Sequence, residues 1–300
     1  MQRYLLLLKE SCRLHLPKKT EVIVIYWYNG NLIAASTLEL AIDDPGLLYG
    51  ATVFTTLRIY HRSLDHTLTN WQEHCDRLES TLQAFDWQQP NWQSLRQGAE
   101  ILITHFPILR ITIFPDGREW ITGRFLPNDL TEKQRYGLAA SLIGSQLERS
   151  LPAHKTGNYL SATLAKTTAK KMLAAEAILV DTNGNWLETT TGNLWGWRDD
   201  CWWTPPLEAG ILPGIVRSQL LNWLRRNNLP VKEEPWQPDL VRSFEAIAYT
   251  NSVVQVIPIH TVIRQEDKGI SQLSYNPYHP SFNQLRGLFL PDKRENSKVD

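Results

Sequence analysis

Leu187-Glu188-Thr189-Thr190-Thr191-Gly192-Asn193-Leu194-Trp195, followed by Leu212-Pro213-Gly214-Ile215-Val216-Arg217, is the stretch around which this 300-residue chain is organised. Upstream of it stands His154-Lys155-Thr156-Gly157-Asn158-Tyr159. Each segment alone is a weak signal. In this order they supply an amine at Lys155, a carboxylate at Glu188 and, at Gly214, a helix start able to seat an anion. Pro213 and Gly214 open a predicted helix Ile215 to Arg226, which Asn227-Asn228 and Pro230 end.

Composition narrows the setting. Lys plus Arg and Asp plus Glu both total 31, so no net field recommends nucleic acid or an anionic membrane as a partner. Cys12, Cys75 and Cys201 are far apart and form no Cys-x-x-Cys pair, which argues against a zinc site or disulfide framework and for a reducing compartment. The apolar run Leu5 to Leu8 is too short for a signal-peptide core, and no stretch approaches a membrane span. A cytoplasmic protein is expected. The histidines show no metal-ligand spacing, so no metal is expected. Of the 12 tryptophans, Trp195, Trp197, Trp202 and Trp203 fall in one hairpin and read as packing or interface residues.

The chain divides into two halves. Residues 1–20 form an extension. Glu21 to Trp27 reads as a strand, with Tyr28 to Asn31 as its turn. In the strand Val53 to Tyr60 the period of two puts Phe54, Thr56 and Arg58 on one face, which carries a hydroxyl and a cation, while Thr55, Leu57 and Ile59 on the other could simply pack. Asn70 and Glu73 are spaced as a capping box for a helix whose stripe is Trp71, Cys75, Leu78, Leu82 and Phe85, with Arg77 beside it. A second helix runs from about Trp92 to His105. Strands Leu109 to Phe114, Trp120 to Phe125 and Gly137 to Ile143 complete a small domain over 21–145. A polar linker over 146–154 leads to a larger domain over 155–290, and 291–300 is a polar tail. A helix from about Tyr159 to Leu173 is expected to bury Leu160, Leu164, Met172 and Leu173, with Lys166, Lys170 and Lys171 outside. Strands follow at Ala177 to Asp181, Trp186 to Glu188 and Ala246 to Thr250.

Most lysines are solvated surface charges. A lysine acting as a nucleophile needs an apolar pocket, so that its pKa falls and the neutral amine can attack an aldehyde. A carboxylate at Glu188 set against a pyridine nitrogen would keep that ring protonated and ready to accept electrons. Asn193 could orient the turn through its amide. The backbone of Ile215 and Val216, the fork of Arg77 and the hydroxyl of Ser252 are candidate phosphate ligands. Together these groups match what pyridoxal 5'-phosphate requires.

At this point the chain resembles the class IV, branched-chain-type family of pyridoxal-phosphate enzymes, from about residue 24 to 290. The likeness rests on Glu188-x-Thr190-x-x-Asn193-Leu194, Thr204 and Leu212-x-Gly214-Ile215-x-Arg217, with Trp195 and Trp202 in two aromatic or aliphatic slots. It extends to Glu73-His74-x-x-Arg77-Leu78 and to Lys155. The resemblance implies a two-domain α/β (α+β) fold with the cofactor in the interdomain cleft, and a homodimer whose neighbour closes each pocket. It implies Lys155 as the catalytic lysine bonded to the cofactor, and Arg77, Tyr159, Glu188, Asn193, Ile215, Val216 and Ser252 as cofactor ligands. Tyr49, Thr56, Arg58 and Asn251 are implied to meet the substrate, with Arg110 or Arg118 as further candidates for its carboxylates. Within the family, Phe54-Thr55-Thr56-Leu57-Arg58 and Thr250-Asn251-Ser252 are similar to the lyases that convert 4-amino-4-deoxychorismate into 4-aminobenzoate and pyruvate. Gly157-Asn158-Tyr159 is closer to the branched-chain aminotransferases. An aminotransferase acting on branched-chain or D-amino acids is therefore the alternative, and a non-catalytic cofactor-binding protein the third.

Overall fold

The structure, a computed structural model, describes residues 24–147, 149–266 and 269–290. The extension over 1–20, the start of the Glu21 to Trp27 strand and the tail over 291–300 lie outside these residues. Two sheets organise the chain. The first comprises β1 (Val24–Tyr28), β2 (Asn31–Ala35), β3 (Val53–Arg58), β4 (Ile108–Ile113) and β5 (Glu119–Arg124), all antiparallel, in the order β2-β1-β5-β4-β3. A short helix, α1 (Pro45–Leu48), precedes β3, while α2 (Trp71–Ala84) and α3 (Trp92–Leu102) follow it. These two helices bury Leu78, Leu82, Leu95 and Leu102 against Leu57, Leu109 and Ile111 of the sheet. The i, i+3, i+4 stripe read from the sequence is thus the core face of α2.

After β5 come α4 (Leu130–Tyr136), β6 (Leu138–Ile143), α5 (Leu160–Lys171), β7 (Glu176–Val180), β8 (Trp186–Thr189), β9 (Asn193–Arg198) and β10 (Cys201–Thr204). Then follow α6 (Ile215–Arg226), β11 (Val231–Glu233), α7 (Pro238–Arg242), β12 (Ala246–Asn251), β13 (Gln255–Glu266), β14 (Gly269–Ser274) and α8 (Phe282–Arg286). The second sheet runs β11-β10-β9-β12-β13-β6-β7-β8, with β14 on the edge of β13. Because β8 also pairs with β9, the strands β9, β12, β13, β6, β7 and β8 close into a ring. The closing pair is Glu188 with Asn193, the two polar landmarks of the opening stretch. A closed ring leaves these strands no free edges there, and it holds both side chains in fixed register.

Several expectations change. The strand ending at Ile143, assigned from sequence to the first half, pairs in parallel with β7 and β13. The passage from one sheet to the other therefore falls between Arg124 and Leu138 rather than at 146–154. Parallel partners are remote in sequence, so local patterning cannot assign a strand to them. Asn70 does not cap α2 through its side chain; it takes a left-handed conformation at φ 53°. The buried face of α5 differs: Ala165 and Ala169 pack on Ala177 and Leu179, with Met172 partly buried against them as expected, while Leu160, Leu164 and Leu173 are exposed. Small residues let the helix approach the sheet closely, and the leucines face outward. The helix α4 was not anticipated. The hairpin tryptophans Trp195, Trp197, Trp202 and Trp203 are all buried.

Candidate active site

A cavity of about 420 Å³ opens between the two sheets, within the size range of small-molecule sites. Lys155 lines it because the loop around that residue joins the first sheet. Phe54 N donates to Lys155 O at 2.8 Å, Gly157 N donates to Thr52 O at 2.6 Å, and Val53 bridges Thr156. The lysine is thus tied to β3 by the backbone, while α5 behind it packs on the second sheet. Its Nζ lies 4.8 Å from the centre of the Phe54 ring and donates to the Tyr159 hydroxyl at 3.3 Å. Burial pulls the Lys155 pKa down to about 8; Tyr159 opposes this, and the Arg149 and Arg77 charges add to it. A lysine in this state offers a neutral amine near physiological pH. The Tyr159 pKa is lowered despite burial, which alone would raise it, because Lys155 and Arg149 favour the phenolate.

Glu188 is 2% exposed and lines the same cavity. One carboxylate oxygen pairs with Arg149 Nε and the other accepts from Leu212 N at 3.3 Å. Burial works against the Arg149 charge, but Glu188 and Tyr159 together more than compensate, so the Arg149 pKa rises. Arg149 was not singled out from the sequence. Nothing local marks it, since it meets Glu188 across 39 residues of chain.

The anion seat is built from both sheets. Asn193 Nδ2 donates to Leu212 O at 2.9 Å and so fixes the approach to α6. A Cβ on Gly214 would collide with Asn193 Oδ1, so only glycine allows this contact. Gly214 serves as the N-cap with no side-chain hydrogen bond, and Ile215 and Val216 line the cavity. From α2, Arg77 reaches across: its Nη2 donates to Thr55 Oγ1 at 2.8 Å and its Nη1 to Pro213 O at 3.5 Å. Thr55 does not simply pack, as its face of β3 had suggested; its hydroxyl also meets His74 Nδ1 at 2.5 Å. Burial lowers the Arg77 pKa to about 10 and holds His74 well below its ordinary value. Arg77 Nε is buried without a hydrogen-bond partner among the described residues. A buried guanidinium with no carboxylate, aimed at an uncapped helix start, fits a phosphate.

The remaining expectations divide. Thr56, Asn251 and Ser252 line the cavity. Asn251 also holds its own loop, accepting from Val253 N and Val254 N at 2.9 Å and donating to Thr191 O at 3.2 Å. Arg110 lines the cavity with its guanidinium 3.6 Å from the centre of the Phe54 ring, whereas Arg118 is bound to Asp44, Asp116 and Tyr28 elsewhere. Tyr49 is 74% exposed and outside the lining. Arg58 sits over the Tyr60 ring at 5.2 Å and reaches Val253 O at 3.5 Å, also outside the lining. Strand alternation places residues on a face but does not say where that face meets a second sheet. Arg124, Glu176 and Tyr249 line the cavity without having been singled out.

The profile of amino-transferase class IV matches residues 52–262. The chain is 22% identical over 261 residues to aminodeoxychorismate lyase of Vibrio harveyi, covering 81% of this chain and 93% of the relative. It is 24% identical over 253 residues to D-alanine aminotransferase of Listeria monocytogenes, covering 77% and 85%. The crystal structure of branched-chain amino acid aminotransferase from Escherichia coli superimposes with a TM-score of 0.72 at 20% identity, covering 89% of this chain and 94% of that one. Three activities at comparable similarity leave the reaction to the site itself. With a buried lysine, a barrel-closing carboxylate and a buried guanidinium beside an uncapped helix start inside the matched region, this chain belongs to amino-transferase class IV, whose cofactor is pyridoxal 5'-phosphate.

Proposed function

We propose that the protein is a lyase that converts 4-amino-4-deoxychorismate into 4-aminobenzoate and pyruvate, a step toward folate. The observation that supports this reading is the cavity wall on the first sheet. Thr56, Arg110 and Thr122 stand abreast on β3, β4 and β5, and Arg124 follows one step along the same face. Among the described residues neither arginine has an ion-pair partner. Burial lowers the Arg110 pKa to about 10, and the Arg124 charge adds to this. Two unpaired cations on one wall suit a substrate with two carboxylates. A branched aliphatic side chain would gain only apolar contact there.

The residues divide the work. Arg77, Ser252 and the start of α6 would hold the cofactor phosphate, and Glu188, steadied by Arg149, would face the ring nitrogen. When bound, the protonated cofactor ring supplies a sink for the electron pair released at the amine-bearing carbon. Lys155 Nζ takes the proton from that carbon in its neutral form. The bond between the ring carbon and the ether oxygen breaks, the carbocycle becomes aromatic, and the enolate of pyruvate that departs gains a proton at its methylene carbon to become pyruvate. Arg110 and Arg124 orient the carboxylates, and Phe54 keeps water from the lysine.

Incubated with 4-amino-4-deoxychorismate, the enzyme should release 4-aminobenzoate and pyruvate in equal amounts without a 2-oxo acid. Efficient glutamate formation from leucine or D-alanine with 2-oxoglutarate, and no 4-aminobenzoate, would establish the aminotransferase reading that Gly157-Asn158-Tyr159 favours. We also infer a cytoplasmic homodimer. Leu160, Leu164 and Leu173 on and after α5, and Leu47, Leu48 and Tyr49 around α1, are exposed and apolar, and no helix among the described residues is long and apolar enough to cross a membrane. Sedimentation that gives a monomer at micromolar concentration would reject the dimer.

A further inference from the structure

Strand register puts an unassigned donor at the phosphate seat. Along β9, Asn193 and Trp195 alternate with Leu194. Across the ladder Thr250 stands opposite Asn193, and Ala248 opposite Trp195. These four side chains share one face of the ring, and it is the face that α6 covers: Trp195 and Ala248 pack with Val216 and Leu220. Leu194 and Tyr249, on the other face, belong to a separate cluster. Thr250 is therefore on the α6 side, 1% exposed, and lines the cavity together with Ile215 and Val216.

Its hydroxyl is constrained. Trp195 Nε1 donates to Thr250 Oγ1 at 3.0 Å. An indole can only donate, so this bond occupies a lone pair of the hydroxyl and leaves its proton to find an acceptor. Among the described residues none is in hydrogen-bond range. At this end of the cavity the Arg77 guanidinium and the N–H groups at the start of α6 are donors, while Pro213 O and Asn193 Oδ1 are acceptors, and Thr250 Oγ1 donates to neither. A buried hydroxyl proton without an acceptor, beside a guanidinium and free helix N–H groups that attract an anion, is placed to be donated to a phosphate oxygen.

We propose that Trp195 is a positioning residue for the cofactor phosphate: its indole fixes the Thr250 hydroxyl so that the hydroxyl proton is donated to a phosphate oxygen. Trp195 thereby acts from within the hydrophobic core, without touching the ligand. The inference rests on the pyridoxal-phosphate assignment and is independent of whether the enzyme is a lyase or an aminotransferase.

The test compares pyridoxal 5'-phosphate with pyridoxal, which lacks the phosphate, in titrations of the apo-protein. Trp195→Phe keeps an aromatic ring and removes the N–H. It should weaken pyridoxal phosphate binding on the order of tenfold and leave pyridoxal binding unchanged, as expected for one hydrogen bond to a charged group. Thr250→Val should have the same selective effect, Thr250→Ser should restore wild-type affinity, and Trp195→Phe should add nothing in the Thr250→Val background. Equal weakening of both ligands by Trp195→Phe, or full additivity with Thr250→Val, would overturn the proposal. Should Trp195→Phe not fold, the two threonine variants decide: an unchanged ratio of the two affinities in Thr250→Val would also overturn it.

Discussion

Lys155 and Glu188 are both buried charges, and burial affects them differently. The unfolded lysine keeps its proton up to its ordinary 10.5, whereas the folded one releases it near 8. Between these values the unfolded chain binds more protons, so stability rises with pH; below about 8 the buried ammonium is a standing cost. Lys155→Met should therefore abolish turnover and the borohydride-reducible link to the cofactor, yet raise the Tm of the apo-protein at pH 7. A lower Tm would show that burial does not strain this charge. Glu188 is stabilised by Arg149, so changing it has two consequences. Glu188→Gln should keep the phosphate seat and bound cofactor but slow turnover by roughly three decades, equivalent to several kcal/mol of barrier at 1.36 kcal/mol per decade. It also leaves Arg149 buried without its carboxylate, so Tm should fall as well. An unchanged turnover number would make Glu188 purely structural.

At the level of elements, the first sheet presents its cationic face to the cavity and its apolar face to α2 and α3. The period of two in β3 was legible in the sequence. Which positions along that face reach the cavity was not, because this depends on where the second sheet crosses it. Arg110→Met keeps the stem that covers Phe54 and removes the charge. It should raise KM for 4-amino-4-deoxychorismate by on the order of tenfold to a hundredfold, the loss expected for a charged hydrogen bond, with pyridoxal phosphate affinity unchanged. An unchanged KM would remove Arg110 from the substrate site. The buried face of α5 shows the same limit. Leucine spacing predicted a buried stripe, but close packing on β7 required the alanines, and the leucines were left for another surface.

Across the whole molecule, the proposed phosphate seat joins parts that otherwise belong to separate sheets. Arg77 comes from α2 and touches Pro213 at the entrance to α6, so a ligand held there links both halves. Cofactor binding should raise Tm, by about 2.7 kcal/mol of stability at about 100 times Kd before any contribution from the covalent bond. Arg77→Ala should lose most of that gain and raise Kd for pyridoxal phosphate. Equal dissociation constants for mutant and wild type would remove Arg77 from the site.

The sequence by itself determined the chemical kit and its local settings. Lys155 before a helix, Glu188 and Asn193 at a hairpin, Gly214 opening α6 and Arg77 beside a helix stripe all depend on near neighbours, where propensity and periodicity act. Tertiary structure alone decided how the kit is used. It moved Leu138–Ile143 into the second sheet and paired Arg149 with Glu188. It brought Arg110 rather than Arg118 to the cavity, turned Tyr49 outward, and set the Trp195 indole on Thr250. Each of these is a contact between residues far apart in the chain. Such contacts are fixed by strand register, barrel closure and the approach of two sheets, and none of these leaves a local pattern to read.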